Sequence, residues 1–318
     1  MNDTSSMSPP IGILGGGGFG HALAIAAQKR GREVILWSRA DASARGSSLR
    51  VTHEMADLRA AELIFIAVPS AHVAALGRAL GAHLDGSHLL VHVSRGLVGD
   101  ALEPLTMVLR MQTPSRRVGA LAGPLSARAL AEEIPAGAVV GTRFPEIVRA
   151  VEDALASSSM RVYHTPDVLG VEVASALVGV LALGTSYARA LGVGPAALAI
   201  MATRGMAEAA RLGAPLGASP QTFYGLAGFG DLVSAIAGDG RPEERLGRAL
   251  AEGLDLQTAC ARVGAHIEGV GIARRVVAYA HRVGVECPVI QAIAAVVEGE
   301  LDGPGAIAAL MASRAGRE

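Results

Sequence analysis

The stretch IGILGGGGFGHALAIAAQKRG, residues 11–31, constrains this chain more than any other. Four apolar or small residues run straight into a series of glycines, and a helical pattern follows at once. A short buried strand that turns tightly into a helix answers this description. Gly15, Gly17 and Gly20 stand at the spacing GxGxxG. In that template the first glycine permits the turn and the second lets backbone approach a pyrophosphate. The third lets helix and strand pack closely, while the helix N-terminus offers its free N–H groups to phosphate. The competing reading is a glycine-rich turn that binds nothing. The strand before, the helix after and a second strand at VILW favour a dinucleotide site.

The rest of the first half repeats the alternation. Ile11–Leu14, Val34–Trp37, Leu63–Val68, Leu89–Val93, Val118–Leu121, Ala138–Gly141 and Arg161–Tyr163 read as strands, most of them continuous apolar runs ended by Gly, Pro or Ser. His21–Arg30 and His72–Leu80 carry helical periodicity. The pattern predicts an α/β fold with an N-terminal Rossmann-type, doubly wound parallel sheet. It stops near Pro166, and from Val168 onward only helical stretches with Gly or Pro breaks follow. Two domains are expected: residues 1–165 to bind a dinucleotide, and an all-helical residues 166–318 to bind substrate.

The second strand ends at Ser38-Arg39-Ala40. A site specific for NAD(H) would place Asp or Glu there to hold the ribose 2′-hydroxyl, and none is present. An Arg pairs with a 2′-phosphate instead. NADP(H) is therefore the expected cofactor, with NAD(H) possible and Arg39 as a plain solvated loop residue the alternative.

Composition removes other classes. A formal net charge of −1 gives no electrostatic reason to expect nucleic acid or an anionic membrane as partner. Cys260 and Cys287 form neither a disulfide framework nor a metal spacing, and of the nine histidines only His88 and His92 stand at an HxxxH spacing, along the run Leu89–Val93 that reads as a strand and not a helix, so no metal site is expected. The opening MNDTSSMSPPIGIL lacks a basic segment followed by a signal-length apolar run. A cytoplasmic protein, a small-molecule substrate and a homodimer are the expectations. The run GVEVASALVGVLALG, residues 170–184, is the one stretch resembling a membrane span. Only sixteen uncharged residues separate Glu172 from Arg189, where a span needs about 20, so a buried helix is expected.

Several motifs then occur in order: EVILWSR after the glycine turn, IFIAVPS, SRGL, LAGPLSARAL, MATRGMAEAARLGA, TFYGLAGFGDLV, and IEGVGIARRV followed by GVECPV. Over nearly the whole chain this resembles the NAD(P)-dependent glycerol-3-phosphate dehydrogenase family. The resemblance implies a Rossmann domain followed by a helical substrate domain. It also implies that Gly18, Phe19, Gly123, Ala127 and Glu268 contact the dinucleotide beside Gly15, Gly17, Gly20, Ser38 and Arg39.

At the catalytic positions the resemblance breaks. The family carries Lys-Asn on the helix of residues 170–184, where the Lys serves as acid and base at the substrate hydroxyl; these positions are Val178 and Gly179 here. Lys29 is the sole lysine among 28 Lys and Arg residues, and it falls on the first helix. A second family lysine is Arg95, able to anchor an anion but unable to release a proton readily. The family's phosphate-gripping Arg-Asn pair aligns with Pro242-Glu243, one position after Arg241. A Thr and an Arg of the family are Ala235 and Leu198, and the segment before IFIAVPS is short. Asp231 of GFGDLV remains, so Asp231 and Arg95 are the candidate catalytic residues.

Three readings stay open. One is a weak glycerol-3-phosphate dehydrogenase. A second is a reductase for a different, non-phosphorylated ketone or imine, its pocket lined by Val178, Leu198 and Ala235. Asp231, Tyr187, Ser175 or Thr185 would then handle the proton. The third is a non-catalytic dinucleotide-binding protein. Duller roles compete at each position: a Ser or Thr on a buried helix bonds the carbonyl one turn back, and Asp231 caps the helix that follows it.

Overall fold

Short runs such as IGIL, VILW, LIFI and LLVH can be apolar at every position only if both faces of their sheet are covered. In the computed structural model, which describes residues 8–39, 49–238 and 240–312, they are. Eight strands form one sheet in the order β3-β2-β1-β4-β5-β6-β7-β8. They are β1 (Ile11–Leu14), β2 (Val34–Trp37), β3 (Arg50–Thr52), β4 (Leu63–Ile66), β5 (Leu89–His92), β6 (Val118–Ala122), β7 (Ala136–Gly141) and β8 (Met160–Thr165). Pairing is parallel for β3-β2, β2-β1, β1-β4, β4-β5, β5-β6 and β7-β8. The expected strands are present with ends shifted by one or two residues. Strand β3 was not expected: RVT is three residues long and half exposed, too short to carry a period.

Register turns alternate residues into layers. Ile13 pairs with Leu36 on one side and Phe65 on the other, and Phe65 pairs with Val91. These four belong to one buried cluster with Ala22, Leu23, Ala24 and Ala27 of α1 (Gly18–Lys29), Leu130 of α4 (Ala127–Glu132), and Ile147, Val151 and Leu155 of α5 (Pro145–Leu155). Two further helices of this half, α2 (Ser70–Gly81) and α3 (Leu105–Gln112), pack on each other. The chain reverses its direction of travel across the sheet at β1, which has β2 on one edge and β4 on the other. Such a switch point is where open α/β sheets bind ligands.

The remainder is helical: α6 (Val168–Ala190), α7 (Pro195–Gly213), α8 (Pro220–Tyr224), α9 (Asp231–Ala237), α10 (Pro242–Ala251), α11 (Leu256–Val263), α12 (Glu268–Val283), α13 (Pro288–Val297) and α14 (Gly303–Ala312). Every residue of α6 from Gly170 to Ser186 is buried. At 23 residues and mean hydropathy 2.0 over its most apolar window, α6 is long and apolar enough to cross a membrane, so the count of uncharged residues understated its length. Its surroundings are protein, since 89% of that window is buried. Glycines bring the neighbours in. A Cβ on Gly269 of α12 would lie 2.8 Å from the Gly179 carbonyl oxygen, and one on Gly247 of α10 2.7 Å from the Tyr187 nitrogen. Helix α6 thus meets two neighbours backbone to backbone, which an alanine-rich chain with 3% aromatics can do and a bulky one cannot.

Two compact units result. Unit 1 comprises Met1–Ser94, Leu105–Leu121 and Leu125–Val168; unit 2 comprises Arg95–Pro104, Ala122–Pro124 and Leu169–Glu318. The segment Arg95–Pro104 is tied into unit 2 by Arg275 Nη1, which donates to the carbonyls of Leu97 (2.8 Å) and Gly99 (3.3 Å), and by Arg282, which donates to that of Asp100.

Candidate active site

In unit 1 the glycines divide by what they face. Gly15 has φ +126°, and a Cβ there would lie 2.3 Å from the Ala67 carbonyl oxygen; one on Gly20 would lie 2.0 Å from that of Gly15. Those two glycines are required by the protein's own turn. A Cβ on Gly17 or Gly18 would meet nothing within 4 Å. Gly17 caps α1 in extended geometry with no side chain over the helix end, and no acidic residue occupies the first turn. An open, positively polarised helix end bordered by bare backbone suits a pyrophosphate.

The other sequence candidates flank this turn or lie elsewhere. Phe19 packs against the buried cluster. Ser38 is buried, its N–H donating to the Thr52 carbonyl (3.1 Å) and its own carbonyl 2.7 Å from His53 Nδ1. Arg39 is exposed at the end of β2, and Ala40, with much of the segment expected to be short, lies outside the described residues. Ala127 opens α4. Gly123 (φ +113°) and Glu268, the first residue of α12, belong to unit 2, where His266 Nε2 lies 3.4 Å from the Glu268 carboxylate.

Unit 2 holds a charged cluster around Asp231. The GFG of GFGDLV forms a π-helical turn, Leu226–Gly230, in which a Cβ on Gly228 would lie 2.0 Å from the Phe223 carbonyl oxygen. The wide turn delivers Asp231 to the first position of α9, fully buried. Arg95 reaches both of its carboxylate oxygens, Nη1 in a short contact with Oδ2 and Nη2 at 3.3 Å from Oδ1. Arg241 Nη2 donates to Oδ1 at 3.1 Å. Sequence reading missed this convergence, because 136 residues separate Arg95 from Asp231 and no local pattern announces the pair. The capping alternative is corrected: Gly230 precedes α9 in helical geometry without a side-chain cap bond, and the Asp231 carboxylate is held by guanidinium groups. Two cations on one anion leave the triad with net positive charge in a site of charge-assisted hydrogen bonds.

Val178, Ala235 and Leu198, three positions where the resemblance breaks, are apolar and buried. Val178 is fully buried, Ala235 and Leu198 nearly so. Thr185 is no free hydroxyl: its Oγ1 donates to the carbonyls of Leu181 (2.8 Å) and Ala182 (3.2 Å), bonds internal to its own helix. Ser175 is buried on the same helix. Tyr187 lines a separate apolar cleft of about 180 Å³ with Leu191, Ile200, Met201 and Ile307; neither Asp231 nor Val178 borders it. Burial, and secondarily the Asp302 carboxylate, push the Tyr187 phenol above its ordinary range. Lys29 lies in unit 1, where Nζ bonds Glu133 Oε2 and the Ala131 carbonyl at 3.0 Å each. Glu243, which aligns with the second residue of the family's phosphate-gripping pair, is turned in: it is 7% exposed, and its Oε1 lies 3.8 Å from where a Cβ on Gly179 would be. Among the described residues no group of three or more His, Cys, Asp or Glu side chains could hold a metal ion.

Comparison with known proteins identifies the family of both halves of the chain. Residues 10–54 and 45–148 match the model for the N-terminus of NAD-dependent glycerol-3-phosphate dehydrogenase, and residues 167–307 the model for its C-terminus. The glycerol-3-phosphate dehydrogenase [NAD(P)+] of Azotobacter vinelandii is 34% identical over 91% of this chain and 90% of its own. That of Caulobacter vibrioides is 32% identical over 95% and 96%. The crystal structure of glycerol-3-phosphate dehydrogenase from Coxiella burnetii superimposes with a TM-score of 0.90 at 27% identity, covering 96% of this chain and all of that one. With both halves matched and a Rossmann-type sheet leading into a helical unit, the chain belongs to the NAD-dependent glycerol-3-phosphate dehydrogenase family.

Proposed function

We propose that this chain is an NAD(P)H-dependent oxidoreductase that prefers NADPH and reduces a small ketone or imine other than dihydroxyacetone phosphate. One observation carries the choice of substrate: the position of the family's acid is Val178, fully buried in α6, and the sole lysine is engaged with Glu133 in unit 1. A positioned general acid contributes about 10²–10⁴-fold to such a reaction, and an aliphatic side chain contributes none of it.

The bound nicotinamide would supply hydride. Residues 1–165 are read as the dinucleotide domain and residues 166–318 as the substrate domain. Gly17, Gly18 and the N-terminus of α1 would hold the pyrophosphate, Phe19 and Ala127 would flank it, and Ser38 and Arg39 would receive the adenosine ribose with its 2′-phosphate. Gly123 and Glu268 carry dinucleotide contacts by resemblance to the family. In unit 2 the arrangement supports Arg95 as the group that orients substrate, because its side chain is 23% exposed while Asp231 is fully covered. Asp231 is then a positioning residue that holds Arg95 and Arg241, rather than a proton donor at the reacting atom.

Fluorescence titration with NADPH and NADH, followed by a steady-state NADPH-oxidation assay with dihydroxyacetone phosphate, tests the reading. NADPH should bind more tightly than NADH, and turnover should be absent or far below the roughly 1–10³ s⁻¹ usual for enzymes. Equal affinities would remove Arg39 from the argument. Ordinary turnover would establish the glycerol-3-phosphate dehydrogenase reading, which family membership and the retained Asp231 favour. NADPH binding without turnover of any ketone or imine would leave a non-catalytic dinucleotide-binding protein.

A further inference from the structure

The cleft beside Tyr187 lies wholly within unit 2, chiefly between α6, α7, α13 and α14, and has a volume of about 180 Å³. Small residues open it: Gly184 and Ala188 of α6, Ala292 of α13 and Ala306 of α14 leave a space that longer side chains would fill. Larger apolar side chains make up most of the remaining wall. Ile200 on its border is 60% exposed and Met311 82%, and Leu191 and Ile307 are exposed beside the same cleft. Four large apolar side chains around one concavity leave contiguous apolar surface in water, which is unfavourable in proportion to its area and marks a place for a partner.

The size and charge of the lining select the partner. Sites for drug-sized ligands run to roughly 300–1,000 Å³, so a cleft of about 180 Å³ suits a narrow occupant. Among the described residues no aspartate or glutamate lines it, and Arg204 of α7 is the one charged side chain that does. Arg204 also acts on Glu208 one turn further along α7, whose two carboxylate oxygens already accept the N–H groups of Val289 and Ile290. The other titratable group of the lining, the Tyr187 phenol, is held above its ordinary range by burial and is neutral at physiological pH. We infer that the cleft binds the unbranched alkyl chain of a medium-length fatty carboxylate, with the carboxylate at Arg204. The chain takes the exposed apolar surface out of water, and a lining with a guanidinium and no carboxylate favours an anionic end over a cationic one. The cleft does not border Asp231 or Val178, so this site stands apart from the reading of the charged cluster.

Calorimetric titration of the full chain, without cofactor, with hexanoate, octanoate, octan-1-ol and octylamine at submicellar concentrations decides it. Each added methylene should tighten binding about 4-fold, so octanoate should bind about 15-fold more tightly than hexanoate. Octanoate should also bind about 3- to 10-fold more tightly than octan-1-ol, with octylamine, cationic at neutral pH, the weakest of the three. Arg204→Gln should remove the preference for octanoate over octan-1-ol while both still bind. Ala197→Trp, at an exposed position of the lining, should weaken all four ligands and leave the melting temperature unchanged. This second variant keeps the test decisive if loss of Arg204 disturbs Glu208 and unfolds the chain. No binding of octanoate, equal binding of hexanoate and octanoate, octylamine bound as tightly as octanoate, a preference persisting in R204Q, or full affinity in A197W would each overturn the inference. A chain that sediments as a dimer, becomes monomeric as Ile200→Glu and binds no octanoate would assign the cleft to a second copy, which overturns it as well.

Discussion

Glycines that look alike in the sequence do different work, and substitution separates them. Gly17→Ala adds a methyl that meets no atom of the protein, at φ −68°, a backbone angle alanine adopts freely. Stability should hold while NADPH affinity falls about 10- to 100-fold, the value of one hydrogen bond to a charged group. Gly20→Ala drives its methyl into the Gly15 carbonyl oxygen and should cost about 1–3 kcal/mol of stability as overpacking. Thermal melts and NADPH titrations of both variants give the comparison; equal loss of affinity without any loss of stability would refute it. Glu208 of α7 is a second residue with a legible role. Its carboxylate accepts the N–H groups of Val289 (3.0 Å) and Ile290 (3.1 Å), the first donors of α13. Glu208→Ala orphans both, at roughly 1–3 kcal/mol for each buried group, measurable by denaturant unfolding. Burial raises the Glu208 pKa above the usual 4.5, against the smaller opposing pull of those two N–H bonds. A carboxyl group raised on folding stabilises fully below its unfolded value and loses that contribution as pH climbs through the folded one. Wild type should therefore lose stability relative to E208Q as pH rises from about 4.5, and parallel pH profiles would contradict this.

Within elements, α12 offers an internal control. Gly269 and Gly271 are two residues apart on the same helix, yet a Cβ at 269 meets the Gly179 backbone and one at 271 meets nothing. Gly269→Ala should destabilise by about 1–3 kcal/mol, and Gly271→Ala should be neutral or stabilising by up to about 1 kcal/mol. Melting temperatures moving in the same direction would show that the close crossing of α6 and α12 does not exist in solution. No sequence pattern distinguishes these two glycines, because the difference is made by a helix some 90 residues earlier in the chain. The strands were legible for the opposite reason: Ile11–Leu14 and Val34–Trp37 are buried on both faces, and an unbroken apolar run bounded by turn residues records this locally. The glycine turn was legible because its chemistry is confined to six residues. The Arg95–Asp231–Arg241 cluster and the inward turn of Glu243 were not, since each depends on contacts that only the folded helices bring together.

At the scale of the whole molecule, charge is balanced: 28 Lys and Arg against 29 Asp and Glu. Binding to duplex DNA draws on neutralised phosphates and released counterions, and this chain has no excess of cations to supply them. No mobility shift is expected at about 0.15 M salt; a shift whose affinity fell steeply with added salt would point to a basic face. The cations themselves are distributed unusually, as all but one are arginine. Lys29 closes α1, with its ammonium group held by Glu133 and the Ala131 carbonyl yet 39% accessible. Amine-selective reagents therefore have one side chain to modify. A fluorophore or a solid support coupled through a lysine side chain would attach at Lys29 alone, with the chain's α-amino group the competing amine and no engineered residue required.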